Sequence, residues 1–311
     1  MHDTEHAVDP DQPELLDRAR ILAGLVGAPV TLRTLECVEE TVSTNADLLA
    51  RPAAEAHGSA RLAERQTGGR GRRGRSWFSP YARNLYLSLG WRFEAGPERL
   101  QFLPLVLAVA VARAVTALGH GGHRIKWPND LVTNEGKLGG CLVELRSATQ
   151  GTSLAVLGVG LNVHLAGAPG LESVDQPWAD LAGELPGGSL NDTAVQVLRA
   201  LLEAVGRYER DGLGAEGFAA FEPDWRRYDC LAGREVSLRG EGRAAAHELL
   251  ERLLEEPGGL RVERERVPAL DERSHPLEEA IVQVDVVAEL RRERSHLLGH
   301  CLEHLVGLCG V

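Results

Sequence analysis

Apolar and polar residues alternate through "NLYLSLGWRF", residues 84–93, where Leu85, Leu87 and Leu89 fall on one side of an extended chain. A period of two residues is typical of a β-strand with one face in the core. Shorter runs bounded by turn residues indicate further strands. These runs are "LECVEE", "HRIKWPNDLVT", "KLGGCLVELRS" and "SLAVLGVGLNVHL", and a further segment near "ARLAERQ" has no assigned type.

Other stretches have the spacing of helices. The run "FLPLVLAVAVARAVTAL", Phe102 to Leu118, is 17 residues long and contains Arg113. A membrane span needs about 20 apolar residues and tolerates arginine poorly, so we predict a buried, Ala-rich helix. The stretch "DQPELLDRARILAGL" has helical spacing and is expected to form one helix at most, whereas "TAVQVLRALLEAVGRYERDG" is predicted to be an amphipathic helix. "STN" is predicted to cap one helix over "ADLLARPAAEA". Strands in the middle with helices around them predict an α+β fold with a mixed central sheet flanked by helices.

The pattern changes near residue 229. "GREVSLRGEG" has the character of a strand, whereas "RAAAHELLERLLEEPGG" is strongly helical and "LRVERERV" alternates again. We therefore predict a first domain over 1–228, with its core at about 36–228 after a short N-terminal extension, and a separate C-terminal segment over 229–311.

Composition limits the partners. The 311 residues include 45 acidic and 34 basic ones, a formal charge of −11. The overall field therefore repels nucleic acid, and a polyanion must be bound locally. Five widely spaced cysteines without a CxxC pair, and a polar start without an apolar signal region, favour reduced thiols in the cytoplasm.

One local concentration of positive charge is "GGRGRRGRSWFSP", residues 68–80. An arginine-rich stretch of this kind is often a solvated basic loop. It could also be a nucleic-acid-binding arm with stacking aromatics, or a loop whose glycines and arginines bind phosphate groups. The stretch alone leaves these three alternatives open.

Three further motifs are ambiguous when taken singly. "KWPNDLVTNEGKLGG", from Lys126 to Gly140, is compatible with an ordinary hairpin. "GVGLNV", from Gly158, is compatible with a tight sheet contact, and "STN", Ser43 to Asn45, with a simple helix N-cap.

The order and spacing of these motifs are more specific. "STN", "QTGGRGRRGRSWFSP", "NLYLSL", "KWPNDL", "KLGG" with "LVEL", and "GVGLN" follow one another as they do in biotin protein ligases, and the resemblance covers roughly Glu36 to Leu231. It implies formation of biotinyl-5′-AMP from biotin and ATP with Mg²⁺, then biotinyl transfer to a lysine of a biotin carboxyl carrier domain of the acetyl-CoA carboxylase type.

The resemblance also implies a catalytic domain related to class II aminoacyl-tRNA synthetases, followed by a small SH3-like barrel. Here the barrel pattern is lost after about residue 242. Ser43 lies too early for a DNA-binding domain to precede it, so the short, non-regulatory type without DNA binding is expected. Neither the resemblance nor the composition indicates a membrane partner, and either a monomer or a homodimer is compatible with both.

The resemblance assigns roles residue by residue. Catalytic roles fall on Lys137, Arg72 and Asp130, with Asp130 also a carboxylate that could position Mg²⁺. The biotin pocket comprises Ser43, Thr44, Asn45, Gln66, Gly69, Arg70, Gly71, Arg72, Lys137, Gly139 and Gly158, with Gly140 and Gly160 beside the ring. The nucleotide and adenylate loop comprises Arg73, Arg75, Trp77, Asn129 and Asn162.

These roles suit the chemistry. The carboxylate of biotin is ionised at neutral pH, so the obstacle is to bring it against an anionic triphosphate. Positioned cations such as Arg72 and Lys137 remove that obstacle. The Arg/Gly stretch is expected to be mobile when empty and to close over ligand with Trp77 and Phe78. The alternatives are a lipoate ligase of the same superfamily and a nucleic-acid-binding module that uses the Arg/Gly stretch.

Overall fold

A computed structural model describes residues 14–147, 151–185 and 188–232, together with the backbone of 236–240 and 282–286. The chain divides after Cys230 into two compact units. The larger unit contains a seven-stranded sheet in the order β1-β2-β3-β7-β6-β5-β4. Its strands are β1 (Thr34–Thr41), β2 (Ser59–Gln66), β3 (Asn84–Phe93), β4 (Arg124–Lys126), β5 (Asp130–Val132), β6 (Lys137–Ser147) and β7 (Ser153–Asn162).

The sheet is mixed, because β1 and β2 run parallel and the other neighbouring strands run antiparallel. The helices are α1 (Arg18–Gly24), α2 (Thr44–Leu49), α3 (Ala53–Ala56), α4 (Leu103–Ala117), α5 (Leu181–Glu184), α6 (Leu190–Arg210), α7 (Gly214–Ala219) and α8 (Glu222–Tyr228). The α+β fold with a mixed central sheet flanked by helices is confirmed.

The two faces of β3 carry different chemistry. Phe93 packs edge-on against Tyr208 of α6, and the leucines at 85, 87 and 89 share its face. Ser88 points to the opposite face, where it contacts Thr44 of α2. Because helices cover one face and α2 covers part of the other, almost the whole strand is buried.

Two helix predictions have different outcomes. The Ala-rich run forms α4, which is buried along most of its length, as predicted. The single helix predicted over "ADLLARPAAEA" is wrong, because α2 ends at Leu49 and α3 begins after Pro52. Proline lacks the amide hydrogen that a continuous helix would require there. Within the described residues, no helix has the length and apolar character needed to cross a bilayer.

Two strands are described in the second unit. They are β8 (Val236–Gly240), which lies in "GREVSLRGEG", and β9 (Val282–Val286), and they pair antiparallel. The helical run predicted after Gly242 and the alternating "LRVERERV" lie outside the described residues. The SH3-like barrel therefore stays a prediction.

Candidate active site

The N-terminus of α2 lies against the end of β2. Ser43 is the N-cap of α2, and its hydroxyl accepts a hydrogen bond from the Ala46 amide at 3.4 Å. The amide and hydroxyl of Thr44 both donate to Gln66 Oε1, at 2.9 and 3.1 Å. "STN" is thus a helix cap, and it also places Thr44 beside Gln66 as the resemblance implied.

Asn45 connects the buried strand β3 to the partly exposed strand β6. Its Oδ1 lies 2.5 Å from the hydroxyl of Ser88 on β3, and its Nδ2 donates to Glu144 on β6 at 2.7 Å. The Ser88 hydroxyl is also 2.7 Å from Thr44 Oγ1. The sequence interpretation missed Ser88 and Glu144. Each is a polar residue with apolar neighbours on both sides in its strand, which was the available signal.

The glycines of β6 and β7 permit close contacts. A Cβ on Gly158 would lie 2.4 Å from Asn45 Oδ1, and a Cβ on Gly160 would lie 2.6 Å from the indole of Trp77. A Cβ on Gly139 would lie 2.8 Å from the carbonyl oxygen of Gly160. Side chains at these positions would push α2 and Trp77 away from the sheet, whereas Gly140 has more room.

The Arg/Gly stretch forms a small hairpin. The Gly71 amide donates to the Arg75 carbonyl at 2.7 Å, and the Trp77 amide donates to the Gly69 carbonyl at 2.9 Å. Arg73 occupies the left-handed region with φ of +57°, a backbone conformation that β-turns often require. Arg70, Arg73 and Arg75 are exposed. The expected mobility of this stretch stays a prediction.

Trp77 and Lys137 meet beside this hairpin. Lys137 Nζ lies 5.3 Å from the centre of the Trp77 ring and donates to Asp130 Oδ1 at 2.9 Å. Trp77 Nε1 is buried, and within the described part of the chain it has no hydrogen-bond partner. Arg72 Nη1 contacts Asn129 Oδ1 at 3.4 Å.

Backbone contacts hold these groups in place. Asn129 exchanges two hydrogen bonds with Cys141, from its Nδ2 to the Cys141 carbonyl at 2.8 Å and from the Cys141 amide to its carbonyl at 2.9 Å. Burial raises the pKa of the Cys141 thiol far above its ordinary value, so the thiol stays protonated. Asn162 Nδ2 donates to the carbonyls of Lys137 and Ala179, at 3.1 and 3.0 Å.

A cleft of about 970 Å³ opens from this cluster. Its lining includes Gln66, Trp77, Lys137 and Asn162, and Gln66 is shared with the polar group around Thr44. The opposite wall comes from residues 165–178, which the sequence interpretation did not assign to the site. Trp178 belongs to that wall, where the Lys137 amide donates to the Pro177 carbonyl at 2.9 Å.

Comparison with known proteins identifies this arrangement. The Biotin/lipoate A/B protein ligase family matches residues 35–162. The chain is 37% identical over 230 residues to the bifunctional ligase/repressor BirA of Escherichia coli, an alignment that covers 74% of this chain and 68% of that protein. The chain belongs to the biotin protein ligase family.

Other similar proteins also support the assignment of this chain to the biotin protein ligase family. It is 40% identical over 157 residues to the biotin–[acetyl-CoA-carboxylase] ligase of Mycobacterium tuberculosis, covering 49% of this chain and 57% of that protein. Its fold is similar to the Aquifex aeolicus biotin protein ligase in complex with biotin and ATP. That match has a TM-score of 0.55 and 29% identity, and covers 68% of this chain and 84% of the Aquifex chain.

Proposed function

We propose that this chain activates biotin with ATP to biotinyl-5′-AMP and then transfers the biotinyl group to a lysine of a biotin carboxyl carrier domain. The observation that carries the proposal is the position of Lys137. Its side chain lines the cleft, and its ammonium group contacts both Asp130 and the ring of Trp77. Family membership supports the class of reaction, and the position of Lys137 supports our proposal for its catalytic role.

The first half-reaction joins two anions. A carboxylate oxygen of biotin attacks the α-phosphorus of ATP while the bond to pyrophosphate breaks. Lys137 is the compact cation placed to draw the two anions together, and Arg72 is held at the same site by Asn129. The Trp77 N–H, which has no hydrogen-bond partner among the described residues, is a further donor for a ligand oxygen.

The neutral ureido head of biotin requires donors and acceptors without net charge. The buried residues Thr44 and Ser88 and the half-buried Gln66 supply them in one connected group. Asn45 has a different role in our proposal. Its amide is already bonded to Ser88 and Glu144, so it orients its neighbours more than it binds ligand.

The second half-reaction needs a neutral acceptor amine. Asp130 is the carboxylate closest to Lys137 and is our candidate for receiving the amine proton. Among the described residues, no group of three or more His, Cys, Asp or Glu side chains could hold a metal ion. A Mg²⁺ ion would therefore depend on ATP phosphates for most of its ligands, with Asp130 as one protein carboxylate.

The carrier is proposed from the relatives. Two of them, from Mycobacterium tuberculosis and Paracoccus denitrificans, bear the name biotin–[acetyl-CoA-carboxylase] ligase. We therefore propose the biotin carboxyl carrier domain of an acetyl-CoA carboxylase as the acceptor.

The test is ATP–pyrophosphate exchange with the full chain. Exchange should require biotin, and biotin with ATP should label a carrier domain detectably with streptavidin. Lipoate in place of biotin tests the lipoate ligase alternative, and RNA or DNA affinity without ATP tests the nucleic-acid alternative. Exchange driven by lipoate and not by biotin would contradict the proposal.

A further inference from the structure

Arg83 precedes β3 and has no assigned role in the reaction proposed above. It is half-buried, and its carbonyl accepts a hydrogen bond from the His164 amide at 2.8 Å. Within the described residues, its guanidinium has no ion pair and no hydrogen bond. A guanidinium that is partly removed from water without a counter-charge is costly, which indicates that an external anion is the missing partner.

Other half-buried arginines of this domain have acceptors for their guanidinium groups. Arg61 bonds to both Glu36 and Asp47, and Arg113 bonds to Asp224 at 2.5 Å. Arg199 bonds to the backbone carbonyls of Gly24 and Val26, and Arg72 contacts the side-chain oxygen of Asn129. Arg83 differs from them because, among the described residues, its guanidinium has neither a carboxylate nor a neutral oxygen as acceptor.

The surroundings of Arg83 are the ligand cleft. Arg83 lines it together with Arg65, Arg75 and Lys137. Arg65 is 3.5 Å from Glu40, whereas Arg75 has no side-chain partner among the described residues. The acidic residue of the lining is Asp175, which is exposed. Four cations against one carboxylate make this cleft locally positive in a chain of charge −11.

Hydrogen bonds of Asn84, the residue after Arg83, link the start of β3 to the backbone of Lys137. Asn84 donates to Asn162 Oδ1 at 3.4 Å, and Asn162 donates to the Lys137 carbonyl at 3.1 Å. A cleft of about 970 Å³ is at the upper end of the usual range for small-molecule sites, so it has room for a nucleotide beside biotin.

We propose that Arg83 binds the β- and γ-phosphates of ATP and the pyrophosphate that leaves. When the carboxylate oxygen of biotin forms its bond to the α-phosphorus, the bridging oxygen departs with the electron pair of the broken bond. Pyrophosphate gains that negative charge, and the planar fork of a guanidinium can bind two of its oxygens. This inference rests on the proposed adenylation and adds a phosphate contact outside the Arg/Gly stretch.

The test compares Arg83→Ala with Arg92→Ala in the full chain. Arg92 is also on β3, but it bonds to Glu94 and lies outside the cleft lining. Biotin-dependent exchange is measured while ATP and pyrophosphate are varied. We expect R83A to raise the KM values for both about tenfold, as the loss of one charge-assisted contact would. R92A should not change them, and R83K should fall between R83A and wild type.

Two further measurements separate the loss of a phosphate contact from a general effect on biotin binding or on transfer to the carrier. The Kd for biotin and the transfer of added biotinyl-5′-AMP to a carrier domain should stay within about twofold of wild type in R83A, since neither involves pyrophosphate. KM values equal to those of R92A would overturn the inference. A raised KM for the carrier with unchanged exchange would also overturn it and would assign Arg83 to carrier docking. Absence of exchange in wild type would instead overturn the proposed function.

Discussion

Asp130 Oδ1 accepts a hydrogen bond from Lys137 Nζ at 2.9 Å, across the short turn that joins β5 to β6. The contact holds the ammonium group at the cleft without withdrawing it from solvent, since about a fifth of the lysine side chain is exposed. A lysine held in this way is oriented before ligand arrives, which reduces the reorganisation needed in the transition state.

Removing the ammonium should therefore disable adenylation. We expect Lys137→Ala to lower the rate of biotinyl-5′-AMP formation by on the order of 10² to 10³, because one preorganised charge contact is lost. Single-turnover assays of adenylate formation provide the measurement. Asp130→Asn is the matched variant. It keeps the lysine and should cost less than Lys137→Ala, because it weakens the orientation of the ammonium group and the proposed Mg²⁺ contact without removing the cation. A wild-type rate in Lys137→Ala would contradict the assignment.

The contact between Gly160 and Trp77 predicts a steric effect. Gly160→Ala places a methyl group 2.6 Å from the indole, so Trp77 must move and biotin affinity should fall by about tenfold or more. Gly121→Ala is the control, since no atom lies within 4 Å of a Cβ there. Isothermal titration with biotin gives both values. Partial recovery of affinity in Gly160→Ala with Trp77→Leu would support the steric cause, and equal affinities for the two alanine variants would argue against it.

Arg61 is predicted to position α2. It bonds to Asp47 of α2 and Glu36 of β1, and Thr41 Oγ1 donates to the same Asp47 carboxylate at 2.8 Å. Loss of these bonds in Arg61→Ala should loosen the first turn of α2, where Thr44 lies, and raise the KM for biotin about tenfold.

If Arg61→Ala only destabilised the whole domain, kcat would also fall, which distinguishes that effect from a change in the position of α2. If Arg61 acts through α2, kcat at saturating biotin should remain near wild type, and Arg61→Lys should restore part of the affinity. Arg92→Ala, which removes an exposed pair with Glu94, should leave the KM unchanged. A fall in kcat without a change in KM would reject the positioning role.

His123 predicts a pH dependence of stability. The side chain is buried, its Nε2 lies 2.9 Å from the Ala112 carbonyl and its Nδ1 lies 3.3 Å from His120 Nδ1. Burial lowers the pKa of His123 from 6.5 to about 4. The unfolded chain therefore binds a proton first as pH falls, and stability is lost progressively from about pH 6.5 towards pH 4.

Urea unfolding at pH 7.5 and 4.5 measures this effect. The decrease in unfolding free energy should be about 2–3 kcal/mol larger for wild type than for His123→Gln, which keeps a donor for Ala112 but does not titrate. The same decrease in both proteins would show that other groups cause the acid sensitivity.

Sequence patterns predicted the parts of the fold that depend on local periodicity. The alternation in β3 is typical of a strand, and the apolar run of α4 is typical of a buried helix. The break between α2 and α3 was missed because a helix-like composition outweighed Pro52 in the interpretation. The order of the motifs indicated which residues share a site. In the structure, Lys137 contacts both Asp130 and Trp77.

Other parts of the site could not be predicted because they depend on tertiary contacts. Glu144 is 99 residues from Asn45 in the chain, and only the register of β6 and β7 brings them together. The wall formed by residues 165–178 has no periodicity, so sequence alone does not show that it covers the cleft. Arg83 resembles any other strand-end arginine until the absence of a partner among the described residues is seen.

The paired hydrogen bonds between Asn129 and Cys141 offer an experimental opportunity. They fix the backbone of Cys141, whose thiol is buried, and its raised pKa leaves almost no thiolate to react with maleimide reagents at neutral pH. Ser76, by contrast, is exposed at the end of the Arg/Gly hairpin. A cysteine introduced at Ser76 could therefore be labelled with a fluorophore without reaction of the dye at Cys141. The emission of this fluorophore with and without biotin and ATP would test our expectation that the hairpin closes over the adenylate.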